Sequence, residues 1–244
     1  ARHFGMRGRA MTLTTSCASS ANALLVAVEW LQRGTVDCAI VVGVEGISAV
    51  TLSGFAGLML LDAQGCRPFD RDRAGLMLGD GAAALVLERS TARFATCTLA
   101  GGANLCDTHH LTSASPDGER MRRVMQAALL SAGCTADDVA LVKAHGVGSL
   151  DSDTAEARAL RALFVDRLPP VLGLKGYFGH TLGACGAVET VGLAALLDHG
   201  SIPPTAGFAN ADPELDLAPT TDALACPSGP VLMNFFGFGG SYTS

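Results

Sequence analysis

The chain has 244 residues, 49% hydrophobic and 16% charged, with 29 glycines. That is a globular composition with enough apolar side chains for one large or two smaller domains. A net charge of −6 without any Lys/Arg run excludes nucleic acid as an expected partner. The eight cysteines are scattered without a Cys-x-x-Cys pair, which argues against a zinc site and a disulfide framework and for a reducing, cytoplasmic setting.

No apolar run reaches the length of a bilayer crossing, so no membrane partner is expected. Residues 1–5 do not form a signal peptide, and position 1 is not Met, so the chain is expected to begin inside a longer parent sequence.

In chain order, a β-capable stretch from Met11 to Thr15 runs into Ser16, Cys17, Ala18, Ser19 and Ser20. Apolar residues then recur at helical spacing as far as Leu31, and Arg33-Gly34 stops the helix. Cys17 therefore stands where a strand turns into a helix. The helix dipole there is expected to lower its thiol pKa and make it a nucleophile; the alternative is a buried structural cysteine. The unbroken apolar run Cys38 to Val44 predicts a strand buried on both faces, joined to the preceding one by a parallel crossover. An apolar, Gly-containing stretch (50–62) leads to Arg67-Pro68-Phe69-Asp70, then Gly79-Asp80-Gly81 and a second buried strand, Ala83 to Leu87. Thr91 to Arg93 marks a boundary, with residues 1–92 as one half and 93–244 as the other. Beyond it the pattern predicts strands at Thr98 to Gly102, Val139 to Ala144, Val171 to Leu174 and Val231 to Phe235. Helices are predicted at Met121 to Ala132, Asp153 to Phe164 and Gly183 to Leu197, and a surface loop at Asn210 to Pro230. Alternating strands and helices mean an α/β fold.

Two histidines stand in similar turns. His145 follows a strand directly, and His180 lies between a strand and a Gly-rich helix start. In an open α/β sheet such turns gather at one edge, where ligand sites form. A lone histidine in a turn is more often structural or exposed. Cys17, His145 and His180 on three such turns suit carbon–carbon bond formation on thioesters, with a sulfur to carry an acyl group and two neutral imidazoles to hold an enolate.

Several motifs, in order, resemble those of the β-ketoacyl-[acyl-carrier-protein] synthases of the thiolase-like superfamily. They are Ser16 to Ser20, Arg67 to Asp70, Gly79 to Ala82, Ala144 to Ser149, Lys175 with Gly179-His180, and Asn234 to Gly240. The resemblance implies a layered α-β-α-β-α fold with two similar five-stranded halves. Here it would be incomplete, lacking the early strands of the amino-terminal half and the last strand after Gly240-Ser241; another chain supplies these, or the sequence is part of a longer protein.

The resemblance also implies roles. Cys17 is the acyl-accepting nucleophile, and His145 and His180 bind the extender carbonyl and assist decarboxylation. Lys175 orders the site, with Glu156 as its carboxylate partner; the alternatives are a surface charge for Lys175 and a solvated helix face for Glu156. The backbone N–H groups of Cys17 and Phe238 form an oxyanion hole, and Phe238 gates the acyl pocket. Asp70 and Asp80 hold turns. The implied partners are an acyl carrier protein and a second subunit, in a homodimer or a ketosynthase-type heterodimer. No metal or soluble cofactor is implied, only the carrier's 4'-phosphopantetheine arm.

Several positions depart from the family pattern. Val147 stands where a Thr hydroxyl usually bonds the pantetheine arm, leaving Ser149 and Thr112 for that task. Phe235 replaces a usual Ser, and Tyr177-Phe178 adds bulk near His180; both are expected to reshape the acyl pocket. The form Lys175 to Gly183, with Thr51 to Leu58, resembles synthases of polyene-type lipids. Two rival readings are a non-catalytic partner subunit like a chain-length factor, and a thiolase, although no second cysteine lies between Cys226 and Ser244.

Overall fold

The computed structural model describes residues 2–89 and 97–244; the boundary expected at Thr91 to Arg93 lies outside them. The helix after Cys17 forms as expected (α1, Ser19–Gln32), but residues 11–14 are not a strand, and only a bridge between Thr15 and Cys17 remains of it. The next strand, β1 (Cys38–Glu45), pairs antiparallel with β2 (Gly81–Glu88), and because residues 11–14 are not a strand the parallel crossover expected from them to β1 is not found. Between them lies a short helix, α2 (Ala49–Gly57), capped by the Ser48 hydroxyl accepting from Thr51 N–H.

In the second half, β3 (Asn104–Cys106) replaces the strand expected at 98–102. It is followed by α3 (Glu119–Ala132), β4 (Leu141–Lys143), α4 (Leu150–Leu163), β5 (Val171–Leu172) and α5 (Lys175–Phe178). Then come α6 (Cys185–His199), β6 (Ser201–Ile202), β7 (Leu224–Ala225), β8 (Val231–Met233), β9 (Phe235–Phe236) and β10 (Ser241–Thr243). Gly133 and Gly200, both with positive φ, end α3 and α6 as left-handed caps.

β4 runs parallel to both β5 and β8, whereas β10 runs antiparallel to β9 and β3. Asn234 alone separates β8 from β9, and its N–H still donates to Lys143 O at 2.9 Å. The two small sheets therefore form one ribbon of order β5-β4-β8/β9-β10-β3, a five-stranded half. β10 also corrects the expectation that no strand follows Gly240.

One face of this ribbon packs on α3 and α4 through Met121, Val124, Met125, Leu160, Val142 and Phe236. On the other, Leu193 of α6 joins Leu141, Leu172 and Ile202, while Ala21 of α1 meets Phe235. α1 and α6 touch backbone to backbone: a Cβ at Gly186 would lie 2.2 Å from Ala21 N. The far side of this helix pair receives β1 and β2, where Leu24 and Ala27 meet Val41 with Leu85 and Leu87. The described residues thus stack as β-α-β-α, four of the five expected layers.

The strands β1 and β2 are therefore not buried on both faces. Ile40, Val42, Val44 and Val86 point away from α1 and α6 and are 46%, 57%, 67% and 65% exposed. The segment expected as a surface loop also differs. Leu215 and Leu217 enter the core, and Leu224–Ala225 pairs with Ser201–Ile202.

Candidate active site

Cys17 sits two residues before α1, on a turn that Ser16 completes with φ at 52°. Ser19 braces the turn, accepting from Thr15 N–H at 2.8 Å and donating to Ser16 O at 2.6 Å. The Cys17 thiol is buried and faces the N–H groups of Phe238 and of Cys17 itself. Burial pushes its pKa up to about 11, outweighing the Lys175 charge and the two N–H donors. The expected depression by the helix start is therefore overturned: desolvation of the thiolate is the larger effect.

His145 stands two residues beyond the end of β4. Its N–H and that of Gly146 donate to the two oxygens of Glu156, at 2.8 and 2.9 Å. Asp153 accepts from Phe69 N–H, Val147 N–H and Gly148 N–H, tying the Arg67–Asp70 loop to the turn after β4. His180 follows α5, its N–H donating to Met77 O (2.7 Å) while its carbonyl accepts from Gly79 N–H (3.0 Å). That pairing needs glycine at 79, because a Cβ there would lie 2.2 Å from Phe178 O.

The two imidazoles meet edge to face with centroids 5.5 Å apart, and both are buried. Burial first, then Lys175, His180 and Lys143, hold His145 well below the usual histidine pKa; burial, Lys175 and Lys143 do the same to His180. Both are therefore neutral at pH 7, each with one ring N–H to donate.

Lys175 is fully buried and donates to His145 O at 2.5 Å, with His145 Nδ1 3.5 Å away. Its carboxylate partner is Glu189 of α6, at 2.7 Å, not Glu156. Glu156 is buried rather than solvated, and Asn234 Nδ2 with the N–H groups of His145 and Gly146 occupies its oxygens. Burial works against the Lys175 charge, yet Glu189 outweighs it and the lysine pKa is raised.

Sequence reasoning missed Glu189, Lys143 and Asp153. The signal for the first two was present, as lone charged residues in the apolar stretches Gly186–Leu193 and Leu141–Ala144.

Cys17, His145, His180, Phe238, Ser149 and Thr112 all line one cavity of about 340 Å³. Val147 also faces it, without a hydroxyl, while Thr112 Oγ1 lies 3.4 Å from His110 Nδ1 and Ser149 stands at the N-cap position of α4 with no capping bond from its hydroxyl. Phe238 stacks on Phe55 with centroids 5.7 Å apart. The bulk expected near the pocket lies elsewhere. Phe178 packs with Leu141 and Leu172, Tyr177 is half exposed with its hydroxyl on Pro204 O, and Phe235 packs behind Cys17 with Ala21 and Cys185.

Asp70 and Asp80 hold turns, as read from sequence. Asp70 accepts from Asp72, Ala209 and Asn210 N–H, and Asp80 from Ile47 N–H. Among the described residues no cluster of His, Cys, Asp and Glu has the geometry of a metal site, and no helix is long and apolar enough to cross a membrane.

Two family models match in order: the beta-ketoacyl synthase N-terminal domain over residues 1–93 and its C-terminal domain over residues 96–209. The 3-oxoacyl-[acyl-carrier-protein] synthase 2 of Mycobacterium tuberculosis is 36% identical over 248 residues, which cover 94% of this chain and 58% of that protein. A structure of a type II PKS acyl-carrier protein in complex with its ketosynthase superposes with a TM-score of 0.93 at 25% identity, covering 99% of this chain and 63% of that one. The structure of the ketosynthase ApeO in complex with its chain length factor ApeC, from Xenorhabdus doucetiae, contains a chain of similar shape: TM-score 0.87 at 29% identity, covering 99% of this chain and 60% of that one. The chain thus spans less than two thirds of the length of these relatives. With both domain models matched in order and the superpositions running over nearly all of its length, the chain belongs to the β-ketoacyl synthase family.

Proposed function

We propose that this chain carries the reaction centre of a cytoplasmic 3-oxoacyl-[acyl-carrier-protein] synthase acting in fatty acid or polyketide elongation. The observation that carries the reading is the shared cavity, with one thiol and two neutral imidazoles around it. Cys17 loses its proton as it attacks the thioester carbonyl of an acyl carrier, and the pantetheine sulfur leaves as a thiol. A malonyl thioester then binds with its carbonyl oxygen toward His145 and His180. Its C–C bond to the carboxylate breaks, CO2 leaves, and the electron pair forms an enolate to which both imidazoles donate. The enolate carbon attacks the Cys17 thioester. The N–H groups of Cys17 and Phe238, which already face the sulfur, hold the oxyanion until the thiolate departs and is reprotonated.

In this scheme no metal or soluble cofactor takes part; the carrier's 4'-phosphopantetheine arm reaches in past Ser149 and Thr112. The partners are an acyl carrier protein and a second synthase-type subunit, identical or not. The test is intact-protein mass spectrometry of the full-length protein after incubation with an acyl-carrier thioester. An acyl mass increment on the wild type that is absent from Cys17→Ala supports the reading; no increment on folded wild type overturns it.

A second reading, a chain-length-factor-like partner, draws on one observation. Val147 places a methyl group in the cavity where the family pattern has a hydroxyl. The intact Cys17, His145 and His180 set speaks against it.

A further inference from the structure

Lys143 is the last residue of β4, fully buried and two positions before His145. Its Nζ pairs with Glu189 Oε2, donates to Asn234 O at 2.8 Å and lies 3.8 Å from the centre of the Phe235 ring. Glu189 uses its other oxygen for Lys175, which in turn holds the His145 carbonyl. A single carboxylate thus bridges two buried lysines. Phe235, on the other side of Lys143, packs against Cys17, Ala18 and Cys185.

We propose that Lys143 is a positioning residue of the condensing site, tethering Glu189 so that Lys175 stays on His145 and seating Phe235 behind Cys17. The inference rests on the synthase reading given above. Lys143 makes no contact with the cavity and so acts through others. The tether works in either protonation state, because a neutral amine still has two N–H groups for Glu189 and Asn234. Its charge is nonetheless contested. One carboxylate neutralises one ammonium, and burial with the Lys175 charge lowers the Lys143 pKa despite Glu189. The titratable groups that sense it are Glu189 and Cys185 of α6, Lys175 of α5, Glu156 of α4, His145 and His180.

The test compares the full-length wild type with Lys143→Met, which keeps the stem and loses the donors, and with Lys143→Gln as a second variant should Met not fold. Two readouts are taken: malonyl-carrier decarboxylation from pH 6 to 9, and the ring-nitrogen NMR signals of selectively labelled histidines. The expected result is a kcat at least tenfold lower with KM within twofold, an altered pH profile, and displaced His145 and His180 signals. A folded variant with wild-type kcat, pH profile and histidine signals would overturn the inference and leave Lys143 as core filling. If wild type does not decarboxylate but the variant still displaces the histidine signals, the synthase reading falls while the tether stands.

Discussion

At Cys17 two effects of opposite sign meet, and their sizes decide the resting state of the nucleophile. The N–H donors and Lys175 favour thiolate, burial favours thiol, and burial prevails, with a pKa of about 11. At pH 7 the thiolate fraction is then about one in ten thousand. Alkylation of Cys17 by iodoacetamide, followed by mass spectrometry, should therefore speed up about tenfold per pH unit from pH 7 to 9 without a plateau. A plateau below pH 9 would show that the charges outweigh burial. Attack by this sulfur at neutral pH therefore requires that the proton leave as the sulfur attacks rather than beforehand.

The elements show what the amino-acid pattern reveals and what it conceals. The helix after Cys17 is legible through its 3.6-residue period, and the one after His180 through its small residues and glycine stop, because these are local properties. The run Cys38 to Val44 is equally legible as a strand. Its burial is not, because an apolar side chain does not say whether another layer lies over it. Lys175 illustrates the same limit at the site: two helices each bring a glutamate inward, and only packing reveals that Glu189 takes the lysine while Glu156 takes backbone N–H groups. Leu215 and Leu217 were concealed by polar and proline neighbours that predict a surface loop.

The contact of Gly79 with Phe178, the last residue of α5, yields a further expectation. In Gly79→Ala the new methyl group meets Phe178 O, so the Met77–His180 and Gly79–His180 hydrogen bonds must give way. The cost should be about 1–3 kcal/mol in urea unfolding, with loss of decarboxylation beyond what the stability change explains. Unchanged decarboxylation would show that His180 does not depend on this contact.

For the whole molecule, the four-layer stack leaves an apolar face on β1 and β2. This chain should bind the dye ANS there and associate with itself, since such patches are sticky in water. Replacing Ile40, Val42 and Val44 together with threonine, which suits a strand as well, should weaken dye binding and shift the sedimentation profile toward the monomer. Unfolding should change little, about 0.5 kcal/mol or less per site. Undiminished dye binding would place the sticky surface elsewhere.

The seam between α1 and α6 has a kinetic consequence. With Gly186 pressed on Ala21 the two helices leave no slack at that contact, and the cavity at Cys17 opens on the side of Phe238 and the exposed Met59, Leu111 and Leu150. A space of about 340 Å³ is at the small end of sites that hold a single drug-sized molecule. On the synthase reading proposed above, acyl transfer to Cys17 releases the first carrier's pantetheine thiol before the second thioester reacts. Initial rates measured against both thioesters should accordingly give parallel double-reciprocal lines, the mark of a ping-pong order; intersecting lines would mean that both arms are housed at once.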